Sequence, residues 1–252
     1  MLPYDLLLDM PEASATPTRE HHPAIDIWWW PHTVGQTDWV KIKSRLTREE
    51  QDRATAFRFE KDSIGFMAGR YLQRTILSSY AGIAAEDLRI AVGEHGKPYL
   101  ADKTALTFNL SNTEDLSILA ISRDCTVVGI DAELHSSLLE EETAQLICSA
   151  SELATLSALQ GAERQSLLLT YWTLKESFLK ATGDGLTVDP NRLNVRLERD
   201  TKTIRIEQNL SNDDAGWHHR LFRSPGGHVI AVSAQSERAA LVFRQHRFPD
   251  QI

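Results

Sequence analysis

The chain has 252 residues, 42% hydrophobic and 25% charged, with a formal net charge of −8, proportions ordinary for a folded protein able to bury a sizeable core. That acidic balance argues against a general nucleic-acid binder, whose affinity would rest on a basic surface. Two cysteines without CxxC spacing, Cys125 and Cys148, read as reduced thiols, and no run reaches the ~18 apolar residues of a membrane span.

In chain order, the first apolar run is interrupted by Asp5 and Asp9 and lacks the basic start and long apolar stretch of a secretory signal, which points to the cytoplasm. Residues 1–23, rich in Pro, Ser, Thr and Glu beyond Met10, read as a flexible lead-in. "AIDIWWW" then alternates Ile25, Ile27 and Trp29 against Asp26 and Trp28, the period of a strand. Thr47 followed by Glu50 is the pattern of a capping box and predicts a helix start. A second helix, "SIGFMAGRYLQRTILSSYAG", stops at Gly82. These helices carry Arg53, Arg58, Arg70 and Arg74; the last two lie one turn apart and either clamp an anion or sit as surface charges.

Leu106–Leu110, Leu116–Ser122 and Val127–Asp131 are expected to form three strands of an antiparallel meander. Helices return over about Glu140–Ala181 in more than one piece, followed by "RLNVRLER", "TIRIEQ", "HRLFR" and "HVIAVSA" as strands. Strand, helices, strands, then helices and strands again is an α+β fold of two similar lobes, a pseudo-dimer. Each lobe is expected to be a small, mainly antiparallel sheet on helices, one over residues 24–128 and the other over 129–252, with a site at their junction.

Four stretches carry polar groups suited to phosphate chemistry. "GIDAE" places Asp131 and Glu133 two apart on one strand face, where their repulsion is relieved by a hard cation or by solvent at a strand end. On "WTLKESFLKATG" the residues Trp172, Glu176 and Lys180 form one helical stripe, with Lys175 and Leu179 flanking it. A Glu176–Lys180 surface pair explains two of these charges and leaves Lys175 without a reason in apolar company. Gly96, Lys97 and Pro98 form a turn from which a lysine can reach a phosphate, and Asn109, Ser111 and Asn112 end a strand; both are also ordinary turn chemistry. The pairs His21–His22 and His218–His219 lack metal-ligand spacing, and no P-loop, GxSxG or Rossmann fingerprint occurs.

Taken in order and at these separations, "GKP", "FNLSN", "GIDAE" and "WTLKESFLKATGDGL" resemble the 4′-phosphopantetheinyl transferases, in the monomeric two-lobed class often called Sfp-type. The resemblance implies transfer of the phosphopantetheine arm of coenzyme A to a serine of an acyl or peptidyl carrier protein, with adenosine 3′,5′-bisphosphate leaving. It implies Asp131, Glu133 and Glu176 as ligands of Mg2+, for which Mn2+ can substitute, and Lys180 as the contact to the reacting phosphate. It further implies Arg53, Lys97 and Ser111 as holders of the coenzyme A nucleotide and phosphates, with Gly96, Pro98, Asn109, Asn112 and Lys175 around them. Glu176, directly or through a water on the metal, is the expected base, with Glu152 as the alternative. Asn112 stands where many relatives have a histidine that contacts a coenzyme A phosphate, so weaker binding is expected from that position. The competing readings are a catalytically idle carrier-binding protein on the same fold and a different Mg2+-dependent phosphotransferase. Neither nucleic acid nor membrane is expected as a partner.

Overall fold

Residue parity along a few strands decides how the layers stack. The computed structural model describes residues 6–11, 22–32, 37–93, 95–102, 104–137, 139–198, 200–208 and 216–249. Its first half runs β1 (Leu7–Asp9), β2 (Ala24–Pro31), α1 (Trp39–Ser44), α2 (Arg48–Ala56), α3 (Glu60–Ala81), β3 (Ile90–Val92), β4 (Pro98–Leu100), β5 (Thr107–Asn112) and β6 (Leu116–Ser122). The second runs β7 (Val127–Leu134), α4 (Glu141–Ile147), α5 (Ala150–Ser157), α6 (Gly161–Thr182), β8 (Leu193–Glu198), β9 (Thr203–Gln208), β10 (Trp217–Arg223), β11 (His228–Gln235) and β12 (Val242–Arg247).

Two four-stranded sheets face each other, in the orders β12-β2-β6-β5 and β1-β10-β11-β7. On β6, Ile118 and Ala120 enter the core between the sheets while Leu119 and Ile121 pack under α3. On β7, Val128, Ile130 and Ala132 enter that same inter-sheet core, opposite Ile25 and Ile27 of β2. Leu174 and Phe178 of α6 close a third core with Ala231 of β11 and with Val195 and Ile206 of the β8–β9 hairpin. The order is therefore helix, sheet, sheet, helix. Each fully enclosed Ile or Leu contributes about 1.5–3 kcal/mol to holding these layers together.

The α+β reading with two sheet-plus-helix lobes holds. The three-strand meander does not: β5 and β6 pair antiparallel, but β7 leaves them and pairs with β11. The reason is that β6 already has β2 and β5 as neighbours, so no free edge remains for β7. The chain ends also cross over. β1 runs parallel to β10 at the edge of the second sheet, and β12 runs parallel to β2 at the edge of the first. Within the expected flexible lead-in, residues 1–5 and 12–21, His21 among them, lie outside the described residues, and Leu7–Asp9 form β1 rather than flexible chain because they pair with β10. The capping box forms as the sequence predicts, with the Thr47 side chain accepting from the Glu50 N–H and Glu50 accepting from the Thr47 N–H.

Candidate active site

The partner parity of β7 builds the site. Gly129, Asp131 and Glu133 sit on the alternate positions from the inter-sheet core residues, on the side of α6. At Gly129 a Cβ atom would lie 2.0 Å from the Ser177 carbonyl oxygen and 2.4 Å from the Ala181 nitrogen. Only glycine lets the strand lie directly on the helix. That contact brings the two carboxylates that follow alongside Glu176 and Lys180, and Gly183, with φ of 83°, ends α6 just beyond them.

A cleft of about 550 Å³ results, lined by Ser111, Asn112, Thr113 and Asp115 from β5 and the turn after it, Asp131 and Glu133 from β7, and Trp172, Glu176 and Lys180 from α6. Lys180 Nζ lies 2.5 Å from Asp131 Oδ1 and 3.3 Å from Ser111 Oγ. The Ser111 hydroxyl donates to the same Asp131 oxygen at 3.1 Å, and Trp172 Nε1 donates to Glu133 Oε1 at 3.1 Å. Burial, and then the neighbouring Asp131, push the Glu133 and Glu176 carboxyls above the usual carboxylate range.

Asp131 Oδ2 and Glu176 Oε1 are buried and have no hydrogen-bond partner. Such orphaned carboxylate oxygens are costly unless a cation or a ligand satisfies them. Among the described residues no three side chains of the His, Cys, Asp and Glu kinds stand close enough to hold a metal ion by themselves. Hard oxygen donors, two of them unpaired and two on carboxyls held above the usual carboxylate range, nonetheless suit a divalent ion that completes its coordination with ligand oxygens and water.

The other expected residues divide into those brought to the cleft and those kept from it. Asn109 is buried and its side-chain oxygen accepts from the Ile130 N–H at 2.9 Å, tying β5 to β7. Asn112 lies where the cleft meets a shallower depression lined by Phe57, Lys61, Gly65 and Phe66, and the exposed Arg53 lies beside it, its guanidinium 5.1 Å from the Phe66 ring. Gly96, with φ of 84°, turns the chain ahead of Pro98, the first residue of β4.

Lys97, between them, is not brought to the cleft lining. Its ammonium donates to the Ala181 carbonyl at 2.7 Å and the Val128 carbonyl at 3.1 Å, and burial lowers it to about 8. Lys175 does not face the cleft either. It is fully enclosed on another side of α6, donating to Glu152 Oε2 at 2.5 Å and to the Ile147 carbonyl at 2.6 Å. Glu152, the alternative base, is equally enclosed, its oxygens taken by the N–H groups of Ser149 and Val195 as well as by Lys175. The pairing of Arg70 and Arg74 into an anion clamp fails because Arg74 is buried, bonded to Glu50 at 2.8 Å and to the Ala85 carbonyl at 2.7 Å. Trp172 and the Thr113–Asp115 turn line the cleft without being among the expected site residues; the i,i+4 spacing of Trp172 to Glu176 is the available signal for the first.

Comparison with known proteins gives two family matches that adjoin. Residues 127–233 match the 4′-phosphopantetheinyl transferase superfamily, and residues 29–124 match the 4′-phosphopantetheinyl transferase N-terminal family. The chain is 32% identical over 166 residues to the 4′-phosphopantetheinyl transferase HetI of Nostoc sp., covering 64% of this chain and 70% of that one. It is 26% identical over 201 residues to the 4′-phosphopantetheinyl transferase Sfp of Bacillus subtilis, covering 80% and 87%. A phosphopantetheinyl transferase of Thraustochytrium sp. is 25% identical over 241 residues, covering 86% and 80%.

Proposed function

The chain belongs to the 4′-phosphopantetheinyl transferase superfamily, and we propose from that premise that the cleft between β5, β7 and α6 performs the transfer with a divalent cation held by Asp131, Glu133 and Glu176. At family level the reaction is transfer of the phosphopantetheine arm of coenzyme A to a carrier-protein serine. The serine oxygen forms a bond to the phosphorus bearing the arm, the bridging P–O bond breaks, and adenosine 3′,5′-bisphosphate departs with the bonding electrons. Mg2+, or Mn2+ in its place, would supply charge neutralisation on the phosphate oxygens.

The chain's own residues supply the rest. Lys180 Nζ, held between Asp131 and Ser111, presents a positive charge to the phosphate on which charge accumulates. Glu176 takes the serine proton. Burial and the neighbouring Asp131 push its carboxyl above the usual carboxylate range, which favours its holding a proton. Glu152 is set aside as a base because both of its oxygens are occupied away from the cleft. Asn112, at the rim shared with the Phe57–Phe66 depression, and Arg53, which stacks on Phe66 of that depression without lining the cleft, receive the nucleotide end of coenzyme A. Lys97 and Lys175 leave the ligand set, their ammoniums being held by protein partners. One chain supplies both lobes that flank the cleft, which supports a monomer. No helix among the described residues is long and apolar enough to cross a membrane.

The observation that carries this reading is the convergence of three carboxylates and one lysine with two orphaned buried oxygens. Intact-protein mass spectrometry of an apo carrier protein incubated with the chain, coenzyme A and Mg2+ tests it. Gain of the phosphopantetheine mass, abolished by EDTA and reduced roughly 10²-fold or more in Glu176→Gln, is expected. Carrier binding without mass gain across several carriers would overturn it in favour of an idle carrier-binding protein, and near-normal turnover of Glu176→Gln at saturating Mg2+ would remove Glu176 as the base.

A further inference from the structure

Across the cleft from α6, the Thr113–Asp115 turn forms a wall that the first lobe alone anchors by its backbone. The His32 N–H donates to the Asp115 carbonyl at 2.8 Å, and the Thr113 N–H donates to the Leu116 carbonyl at 2.8 Å. The side chains of this turn reach into the other lobe. Asp115 Oδ1 lies 2.9 Å from Nε2 of His228, the first residue of β11, and Thr113 Oγ1 lies 3.2 Å from the same nitrogen. His228 is only 2% exposed.

Its ring is held on both sides. Ser224 Oγ accepts from the His228 N–H at 3.0 Å and lies 2.9 Å from Nδ1, so its hydroxyl hydrogen is free to be donated to that nitrogen. Nε2 then carries the proton and donates it to Asp115, with Thr113 Oγ1 beside it donating to the same carboxylate oxygen at 3.0 Å. This tautomer gives both ring nitrogens a partner, Nδ1 the Ser224 hydroxyl and Nε2 the Asp115 carboxylate. Ser224, His228 and Asp115 thus have the connectivity of a nucleophilic triad. Ser224, however, is 4% exposed and does not line the cleft, so its hydroxyl has no access to a substrate there.

His228 stands opposite Leu134 in the β11–β7 ladder, and the next pair is Val229 with Glu133. The strand pair that carries the site carboxylates is therefore the same one that grips the opposing wall. We propose that His228 is a positioning residue: through Asp115 and Thr113 it fixes the cleft's first-lobe wall, including Ser111 and Asn112, in register with Asp131 and Glu133, and so sets the affinity for coenzyme A. The role rests on the reading of the cleft as the coenzyme A site. It is distinct from catalysis, since His228 itself does not line the cleft.

The two ring nitrogens allow a selective test. His228→Asn keeps a polar group in the place of Nδ1, toward Ser224, and loses the reach to Asp115. His228→Gln keeps a donor in the place of Nε2, toward Asp115. The coenzyme A dissociation constant, measured by calorimetry, is expected to rise about tenfold in His228→Asn and in Asp115→Ala, and by less than about threefold in His228→Gln. In His228→Asn, transfer kinetics should show the same loss in KM with kcat within about twofold of wild type. The double variant His228→Asn/Asp115→Ala should be no weaker than either single one. Wild-type affinity in His228→Asn would overturn the role, and so would equal losses in His228→Asn and His228→Gln that track lowered unfolding midpoints. A wild-type chain that binds no coenzyme A would sink the proposed function and this role together, a result distinguishable because failure of the positioning role alone leaves wild-type binding intact.

Discussion

Helix α6 carries two lysine–carboxylate pairs, Lys175–Glu152 and Lys180–Asp131, each with a 2.5 Å contact. Their surroundings differ in one respect, which is completeness. Glu152 receives two backbone N–H groups besides its lysine, Lys175 has a carbonyl besides its carboxylate, and both side chains are at most 1% exposed. Around Lys180 the network is open. Its side chain is 30% exposed, Asp131 Oδ2 and Glu176 Oε1 have no partner, and two neighbouring carboxyls are pushed upward by burial and by Asp131. A closed buried network fixes one arrangement of the elements around it, here the end of α4, the start of α5, β8 and α6. An open one stores unmet electrostatic demand, which is what a charged ligand can satisfy.

The largest effect should come from breaking the closed pair. Lys175→Met leaves Glu152 charged and enclosed, and Glu152→Gln leaves the ammonium so; each is expected to cost about 3–5 kcal/mol in urea unfolding. Whatever remains folded should bind coenzyme A as wild type does. Lys180→Met should do the reverse, costing on the order of 1 kcal/mol of stability while transfer falls roughly 10²–10³-fold. A folded Lys175→Met chain with selectively weakened coenzyme A binding would break the comparison, because the closed pair would then share in the cleft.

A smaller effect sharpens the account of the open network. Glu133 and Glu176 titrate higher in the folded state than the unfolded pKa of about 4.3, so between those limits the folded state holds more protons than the unfolded one. Their contribution is most favourable below about pH 4.3 and declines as pH rises through the folded values. A divalent cation binds the ionised form and opposes that decline. Added Mg2+ should therefore raise the thermal midpoint by several degrees at pH 7.5 and by almost nothing at pH 4, read by scanning calorimetry. Equal shifts at the two pH values would place the cation elsewhere.

The two pairs also mark how far the sequence can be read. The stripe of Trp172, Glu176 and Lys180 follows from helical spacing, and the shared face of Asp131 and Glu133 follows from strand parity, so the cleft's charged lining was legible. Lys175 was not, because a helical wheel places it beside that stripe and says nothing of what packs there. Its partner Glu152 serves first as the reciprocal acceptor in the Ser149 capping box, a local role that hides the tertiary one. The helices and most strands followed from local periodicity. The departure of β7 from β6, the exchange of β1 and β12, and the reach of His228 to Asp115 depend on pairings about 100 residues or more apart, which no local period encodes.

A third lysine touches α6 from outside and separates burial from pairing. Lys97 has no carboxylate partner; its ammonium meets the Ala181 and Val128 carbonyls, the first in the last turn of α6, where the helix dipole favours a cation. Burial still lowers it to about 8, so desolvation outweighs the carbonyls. In the unfolded chain a lysine titrates near 10.4. Below pH 8 both states keep the proton; between about 8 and 10.4 the folded state releases it first, so stability from this group rises with pH across that window. A neutral amine still donates to both carbonyls, which keeps the contact intact while the desolvation cost disappears. Lys97→Met should therefore shift stability by only about 1 kcal/mol at pH 7, where the lost hydrogen bonds and the relieved burial oppose each other. The wild type should gain on the variant as pH rises from 8 to about 10, a difference in which the titration of other groups cancels. A pH-independent gap would mean that Lys97 keeps its charge through the window, and that its carbonyl contacts offset burial.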